Sequence, residues 1–229
     1  MHHFADLLIW YFVFVFSTTC HEAAHALVAY RGGDPTAYAG GHLTLDPLPH
    51  IRRSPMGMLV IPIVTFLLNG SMIGWASVPT NPTWTRAHPR RAALMALAGP
   101  FANLTLASIA FVAMRFLLNA HVVSVPYSPS FADLVVLPES ANQHSPLGAL
   151  ARALSITLSL NVLLGLFNLI PVPPLDGAVV LQGSKLGGRL YDRMREVPAI
   201  ELLGLLAAWR LCGYVTMPAL GWAVHALYS

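Results

Sequence analysis

Charged residues are scarce in this sequence of 229 residues. Asp, Glu, Lys and Arg make up 10% of it, while 55% of the residues are hydrophobic and the mean hydropathy is +0.61. A soluble domain of ordinary composition is about 25% charged, so the deficit argues against a soluble protein. Cysteine is scarce too: Cys20 and Cys212 lie in apolar segments and indicate no disulfide framework. Basic and aromatic residues are not interleaved, which gives no indication of nucleic-acid binding.

Five apolar segments approach or exceed the roughly 20 residues that cross a bilayer as a helix. They cover residues 7–30, 56–76, 92–118, 151–170 and 198–227. The sequence therefore predicts one membrane-embedded domain over residues 1–229. Its fold class is an all-α polytopic membrane protein, a bundle of four to five transmembrane helices in the lipid bilayer. The segment 56–76 either spans or re-enters, since Pro62 and the central Asn69-Gly70-Ser71 suit a bent segment buried against protein.

The distribution of basic residues discriminates between these two topologies. If all five segments span, Lys and Arg divide seven to five between the two sides of the membrane. If 56–76 re-enters, ten lie on one side and only Arg115 and Arg152 on the other. Because cytoplasmic loops carry the excess of Lys and Arg, the second topology is favoured. It places the N-terminus outside and the end of the first helix toward the cytoplasm.

The first apolar segment contains His21-Glu22-Ala23-Ala24-His25, a match to H-E-x-x-H. Residues i and i+4 lie on one face of a helix, so both imidazoles can bind the same metal ion. Glu22 is rotated by about 100° and can face a water at that metal as general base. A chance match is the alternative, but ionisable groups at membrane depth are energetically costly and are usually functional.

Two imidazoles leave a catalytic zinc one protein ligand short. Asp176 is a candidate for the third, in the apolar sequence "NLIPVPPLDGAVV". The prolines before it interrupt the preceding helix. An acid at such a break is either a helix N-cap or a ligand, and a two-histidine site that needs a carboxylate favours the ligand. We expect one Zn²⁺ per chain.

The segments "HEAAH", "ALAGPFANL" and "NLIPVPPLDG", in this order, resemble the site-2 protease family of intramembrane zinc metalloproteases. "GHLTLDPLPHI" and "GWASVPTNP" resemble a compact bacterial and archaeal branch of it. The resemblance implies that His21, His25 and Asp176 ligate zinc and that Glu22 is the general base. It further implies that Asn168 holds the unwound backbone of a substrate. Asn103 would be a further polar contact within the bundle, either to substrate or as an interhelical hydrogen bond.

The family also has a membrane-associated, β-hairpin-like segment after the first motif helix. Residues 40–51 could supply it, since "HLTLD" alternates as a strand does, or they form a plain loop. An exposed strand edge could pair with an extended substrate. Asp46 and Arg52-Arg53 depart from the pattern of the branch, which affects substrate entry rather than chemistry. His42 and His50 are expected as surface histidines, with a place near the metal as the alternative.

These observations predict an intramembrane zinc endopeptidase that cleaves within or beside the transmembrane segments of membrane protein substrates. It would lie in a prokaryotic cell membrane with its active site toward the cytoplasm. The alternative is a zinc-binding membrane chaperone or regulator without proteolytic activity, but binding alone needs no base such as Glu22. A transporter would be favoured by an inverted repeat, which the sequence does not show.

Overall fold

The computed structural model describes residues 2–196 and 199–229. Their regular secondary structure is helical, as the sequence predicts. The helices are α1 (His2–Gly32), α2 (Thr36–Ala39), α3 (Pro47–Arg53), a π-helical turn (Met56–Val60) that continues into α4 (Ile61–Asn69), α5 (Pro82–Ala87), α6 (Pro89–Asn119), α7 (Pro146–Asn168), α8 (Asp176–Leu181), α9 (Lys185–Arg195) and α10 (Ile200–Tyr228).

Four of the described helices are long and apolar enough to cross a membrane: α1 over Phe4–Gly32, α6, α7 and α10. They coincide with four of the five apolar segments, although residue 198, the first of the last segment, lies outside the described residues. Large side chains such as Phe12, Phe101, Phe116 and Trp222 are exposed on these helices. Apolar surface of this extent is expected of a face that contacts lipid. The chain is a multi-pass membrane protein.

The fifth apolar segment is bent. The helix Met56–Asn69 follows α3 at an angle of 114° and ends at Gly70, whose φ of +72° closes the helix in the left-handed conformation. At 1.5 Å per residue this helix is about 21 Å long, shorter than the hydrocarbon core of about 30 Å. The following stretch lacks helical structure up to residue 81 and passes α1, where a Cβ at Gly74 would touch Phe14. A segment bent in this way is either a broken span or a re-entrant loop.

The β-hairpin-like segment predicted over residues 40–51 is wrong. Residues 47–51 are the first turns of α3, and no strand is present among residues 2–196 and 199–229. Asp46 is the N-cap of α3, its carboxylate accepting a hydrogen bond from Leu48 N at 2.9 Å, and Pro47 occupies the first turn. Asp at the N-cap and Pro at the first helical position are strong helix-start signals. They prevail over the short alternation of "HLTLD".

Helix α6 is the centre of the bundle and packs against α1, α7 and α8. One hydrophobic cluster joins α6, α7 and α10 around Met114, Leu158 and Leu227. A second joins α1, α7 and the bent segment around Phe14 and Ile156. Between these clusters α1, α6 and α7 face one another with polar side chains, and this region holds the candidate site.

The end of α1 is tied to the start of α6 by a group of polar contacts. Asp34 is fully buried, and its carboxylate accepts hydrogen bonds from Thr36 N at 3.0 Å and Asn81 N at 2.8 Å. Burial opposes ionisation, but these donors prevail and hold the pKa of Asp34 below its ordinary value. Trp84 Nε1 donates to Gly32 O at 3.2 Å, and Arg91 donates to the same carbonyl. These contacts fix the connection between the two helices that supply most of the site.

Candidate metal centre

Helix α1 carries the H-E-x-x-H motif as one uninterrupted helical face. His21 and His25 are buried, and their Nε2 atoms lie 2.9 Å apart. Asp176 Oδ2 lies 3.2 Å from Nε2 of His21 and 3.3 Å from Nε2 of His25. The structure therefore brings the three sequence-predicted ligands together, with one ligand atom from each within 4.8 Å of the others.

The proline-rich turn after α7 places Asp176 next to the two histidines. Helix α7 ends at Asn168, and the chain turns through residues 169–175 before Asp176 begins α8. The N-cap of α8 is Leu175, so the Asp176 carboxylate does not serve as the cap. Gly177 permits the turn to be tight, because a Cβ there would lie 2.5 Å from Ile170 O. A side chain at position 177 would push α8, and Asp176 with it, away from the end of α7.

The outer nitrogens of the two imidazoles are held by oxygen acceptors. His21 Nδ1 lies 2.6 Å from Asn103 Oδ1, and His25 Nδ1 lies 2.7 Å from the carbonyl oxygen of Met95. A carbonyl oxygen can only accept, so each Nδ1 carries the proton and donates it. The Nε2 atoms then turn their lone pairs toward each other and toward Asp176. Such outer-shell bonds fix the tautomer and orientation of histidines that ligate metals.

The converging groups fit a metal ion. When both imidazoles are neutral, the lone pairs of two Nε2 atoms converge with a carboxylate oxygen, an arrangement of three acceptors that a bound cation stabilises. Asp176 Oδ2 is buried and has no hydrogen-bond partner among the described residues. Gly99 of α6 leaves the space in front of the imidazoles open, since a Cβ there would lie 2.5 Å from His21 Nε2 and closer still to His25 Nε2. Two imidazoles and one carboxylate are a catalytic zinc set with an open fourth position.

Glu22 is placed beside this set. It is only 4% exposed, and its carboxylate interacts electrostatically with His25. In contrast, the Asp176 side chain retains 21% of its exposure, so the site is more open on the side of α8 than on the side of α1. A buried carboxylate next to metal ligands is suited to accept a proton from water.

The two asparagines predicted as substrate contacts occupy different environments. Asn103 is fully buried, and its amide is occupied by His21 on one end and by Asn161, at 2.8 Å, on the other. The structure contains the hydrogen bonds between helices that were one of the two expected roles of Asn103, and its contact with substrate stays a prediction. Asn168 is partly buried at the end of α7, where its Nδ2 donates to Leu164 O at 3.0 Å. Its substrate contact stays a prediction.

His42 and His50 are not surface histidines, and that expectation is wrong. Both are buried, with ring centroids 5.4 Å apart, and neither belongs to the metal-ligand group. The cause is tertiary: α3 folds back on α1 and covers the loop that carries His42. Burial, followed by the nearby His50 and Arg53, lowers the pKa of His42 below its ordinary value.

Sequence reasoning missed Gly99, Asn161 and Met95 near the ligands, and it did not identify Asn103 as the partner of His21. Gly99 and Asn103 lie four residues apart in "ALAGPFANL", and i, i+4 spacing on α6 puts both on the face toward α1. That spacing is the signal that could have identified them as neighbours of the histidines. The only sequence signal at Asn161 is a polar residue within an apolar helix. Met95 contributes its backbone carbonyl, which no side-chain pattern identifies.

Comparison with known proteins agrees with this site. The profile of peptidase family M50 matches residues 9–197. The candidate zinc metalloprotease YwhC of Bacillus subtilis is 34% identical over 169 residues, which are 73% of this chain and 65% of the relative. The candidate zinc metalloprotease Rip2 of Mycobacterium tuberculosis is 33% identical over 166 residues, 72% of this chain and 53% of the relative.

The chain thus spans between about half and two thirds of the length of these two relatives. No solved structure matches it. The matched region contains all three ligands and Glu22, and its length far exceeds half of the chain. The chain belongs to peptidase family M50, the site-2 protease family.

Proposed function

We propose that this protein is an intramembrane zinc endopeptidase, which hydrolyses peptide bonds within or beside the transmembrane segments of membrane proteins. The observation that carries the proposal is the convergence of His21, His25 and Asp176, with Glu22 adjacent. The two histidines and Glu22 lie on α1, which is long and apolar enough to span a membrane. The names of the relatives support a metalloprotease. The position of the site among long apolar helices supports a membrane substrate.

His21, His25 and Asp176 would hold the zinc ion. Zinc in such a site polarises a scissile carbonyl and lowers the pKa of a bound water to about 7. Glu22 accepts a proton from the attacking water as the new C–O bond forms. It then delivers that proton to the amide nitrogen as the C–N bond breaks, so the products are a carboxylate and an amine. The burial of Glu22 keeps bulk water from competing for this proton.

Substrate and water reach the site from the end of the bundle that holds Gly32 and the start of α6. His21 lies eleven residues before Gly32 in α1, or about 16 Å along the helix, against about 28 Å from the opposite end. We propose that Asn168, beside the proline-rich turn, accepts a hydrogen bond from the backbone of an unwound substrate. A helix must open locally before its carbonyls can be attacked, because they are already hydrogen-bonded within the helix.

The site end of the bundle is proposed to face the cytoplasm. If the bent segment re-enters, ten of the thirteen Lys and Arg residues lie in the connections, short helices and helix ends on this side, whereas Arg115 and Arg152 lie near the other side. The positive-inside rule supports this orientation. A prokaryotic cell membrane is supported by the bacterial origin of the relatives.

The test compares wild type, Glu22→Gln and Asp176→Ala in detergent or in liposomes. Zinc per chain is measured first, then cleavage of a panel of membrane protein fragments, each with one transmembrane segment. We expect about one zinc in wild type and in Glu22→Gln, clear loss in Asp176→Ala, and cleavage by wild type alone. Normal cleavage by Glu22→Gln would contradict the mechanism. Zinc-dependent binding of the fragments without any cleavage by wild type would instead indicate the chaperone.

A further inference from the structure

A chain of buried polar side chains leads from the metal centre across the bundle. His21 contacts Asn103 on α6, Asn103 Nδ2 donates to Asn161 Oδ1 on α7 at 2.8 Å, and Asn161 Nδ2 reaches Ser17 Oγ on α1 at 2.8 Å. Asn103, Asn161 and Ser17 are fully buried. Three such groups within apolar helices are costly unless they have a specific task.

The backbone determines the direction of every hydrogen bond in this chain. Asn161 also contacts the carbonyl oxygen of Thr157, at 2.9 Å, and a carbonyl oxygen can only accept. The atom of Asn161 at that position is therefore the amide nitrogen, and its oxygen faces Asn103. An oxygen facing Asn103 requires the Asn103 nitrogen, so the Asn103 oxygen is the atom that faces His21.

The orientation of Asn103 decides which nitrogen of His21 is available to a metal. With the oxygen toward His21, Nδ1 carries the proton and Nε2 presents its lone pair beside Asp176. A flipped Asn103 would present its NH₂ group instead, and Nδ1 would have to accept. The proton would then reside on Nε2, where it blocks the ligand position.

His25 needs no such control. Its Nδ1 is held by the carbonyl of Met95, a backbone acceptor that cannot rotate. The two ligands therefore differ: one is oriented by the backbone, the other by a side-chain amide whose two ends are nearly the same shape. Only the second needs another residue to fix its direction.

We infer that Asn161 is a positioning residue of the metal centre, which fixes the Asn103 amide and through it the metal-binding tautomer of His21. Ser17 assists by accepting the second N–H of Asn161. This inference rests on the proposed zinc site, and it adds that the site depends on a residue with no contact to the ligands. Removal of outer-shell partners of this kind weakens metal binding by about 10–100-fold.

The first test measures the zinc dissociation constant of the detergent-purified chain by competition with a chelator. We expect Asn161→Leu and Asn161→Ala to raise this constant about 10–100-fold. Ser159→Ala is the matched control, since Ser159 is equally buried on α7 but its hydroxyl has no hydrogen-bond partner among the described residues. Melting temperatures report whether each variant is folded.

A double-mutant cycle separates the positioning role from packing. Asn103→Asp presents an oxygen to His21 in either orientation, so the direction of the group no longer matters. In that background Asn161→Leu should leave zinc affinity unchanged or improve it, because Asn161 Oδ1 would face a second oxygen. The visible spectrum of the cobalt-substituted chain, which reports the ligand set, should change in Asn161→Leu and be restored in the double variant.

Two results would overturn the inference: wild-type zinc affinity in Asn161→Leu and Asn161→Ala, or an equal loss of affinity with and without Asn103→Asp. The second result would make Asn161 a packing residue. Absence of zinc from the wild type would refute the proposed function itself, so the two failures are distinguishable.

Discussion

Gly99 determines the space available to the metal, and Gly99→Ala tests this directly. The added Cβ would lie 2.5 Å from Nε2 and 2.6 Å from Cε1 of His21, and closer still to His25 Nε2. An ordinary contact between such atoms is about 3.5 Å, so each imidazole would have to retreat by about 1 Å. Retreat is resisted by the hydrogen bonds of 2.6 and 2.7 Å behind the two rings.

The expected effect on zinc binding is large while the effect on the helix is small. Metal–ligand distances tolerate about 0.2 Å, and a misplacement of 1 Å in a preorganised site can cost about 100-fold. We therefore expect the zinc dissociation constant of Gly99→Ala to rise at least about 100-fold. Alanine is favoured over glycine within a helix by about 1 kcal/mol, so α6 itself should form normally.

The assay is chelator competition on the purified chain, with the melting temperature of the zinc-free protein measured in parallel. Gly213→Ala is the matched control, because a Cβ at Gly213 of α10 would meet nothing within 4 Å. It should retain wild-type zinc affinity. If Gly99→Ala also binds zinc as wild type does, the imidazoles do not occupy the positions described and the metal-centre geometry is refuted.

Two further variants address the surroundings of the site. In Asp34→Asn, the melting temperature should depend less on pH than in wild type. Folding depresses the pKa of Asp34, so the ionised carboxylate stabilises the folded state fully above about pH 4. This stabilisation is lost as the pH falls through the lower pKa of the folded state. Identical pH dependence of the two melting temperatures between pH 7 and 3 would contradict this assignment. In Gly204→Ala, a Cβ would lie 2.8 Å from Pro173 O, which should displace α10 from the turn before Asp176. We expect a lower melting temperature and a loss of zinc affinity smaller than that of Gly99→Ala, and unchanged values for both would refute this packing.

Local patterns predicted the parts of the site that depend on local geometry. His21 and His25 could be paired because i and i+4 share a helix face whatever the rest of the fold does. Asp176 could be proposed because a carboxylate in apolar sequence needs a partner, and the histidines needed one. The apolar segments predicted the four long helices for the same reason, since their length depends on the bilayer alone.

What could not be predicted depends on how helices rotate and pack against one another. Asn103 was known to lie in the bundle, but only the rotation of α6 decides that its amide meets His21. His42 and His50 are buried by the fold of α3, which no local pattern encodes. The hairpin over residues 40–51 fails at a local level instead, because the helix-start signal of Asp46 and Pro47 outweighs the alternation of "HLTLD".

The metal ligands are far apart in the chain, and this has a consequence for assembly of the protein. His21 and His25 belong to the first long helix, whereas Asp176 follows the third, and the space between them is shaped by the second. A growing chain that has inserted only α1 therefore holds two imidazoles without a carboxylate or an orienting Asn103. The complete set of three candidate ligands therefore exists only after three long helices and the turn that follows them have been made. A chain whose synthesis has not passed Asp176 lacks the carboxylate that completes this set.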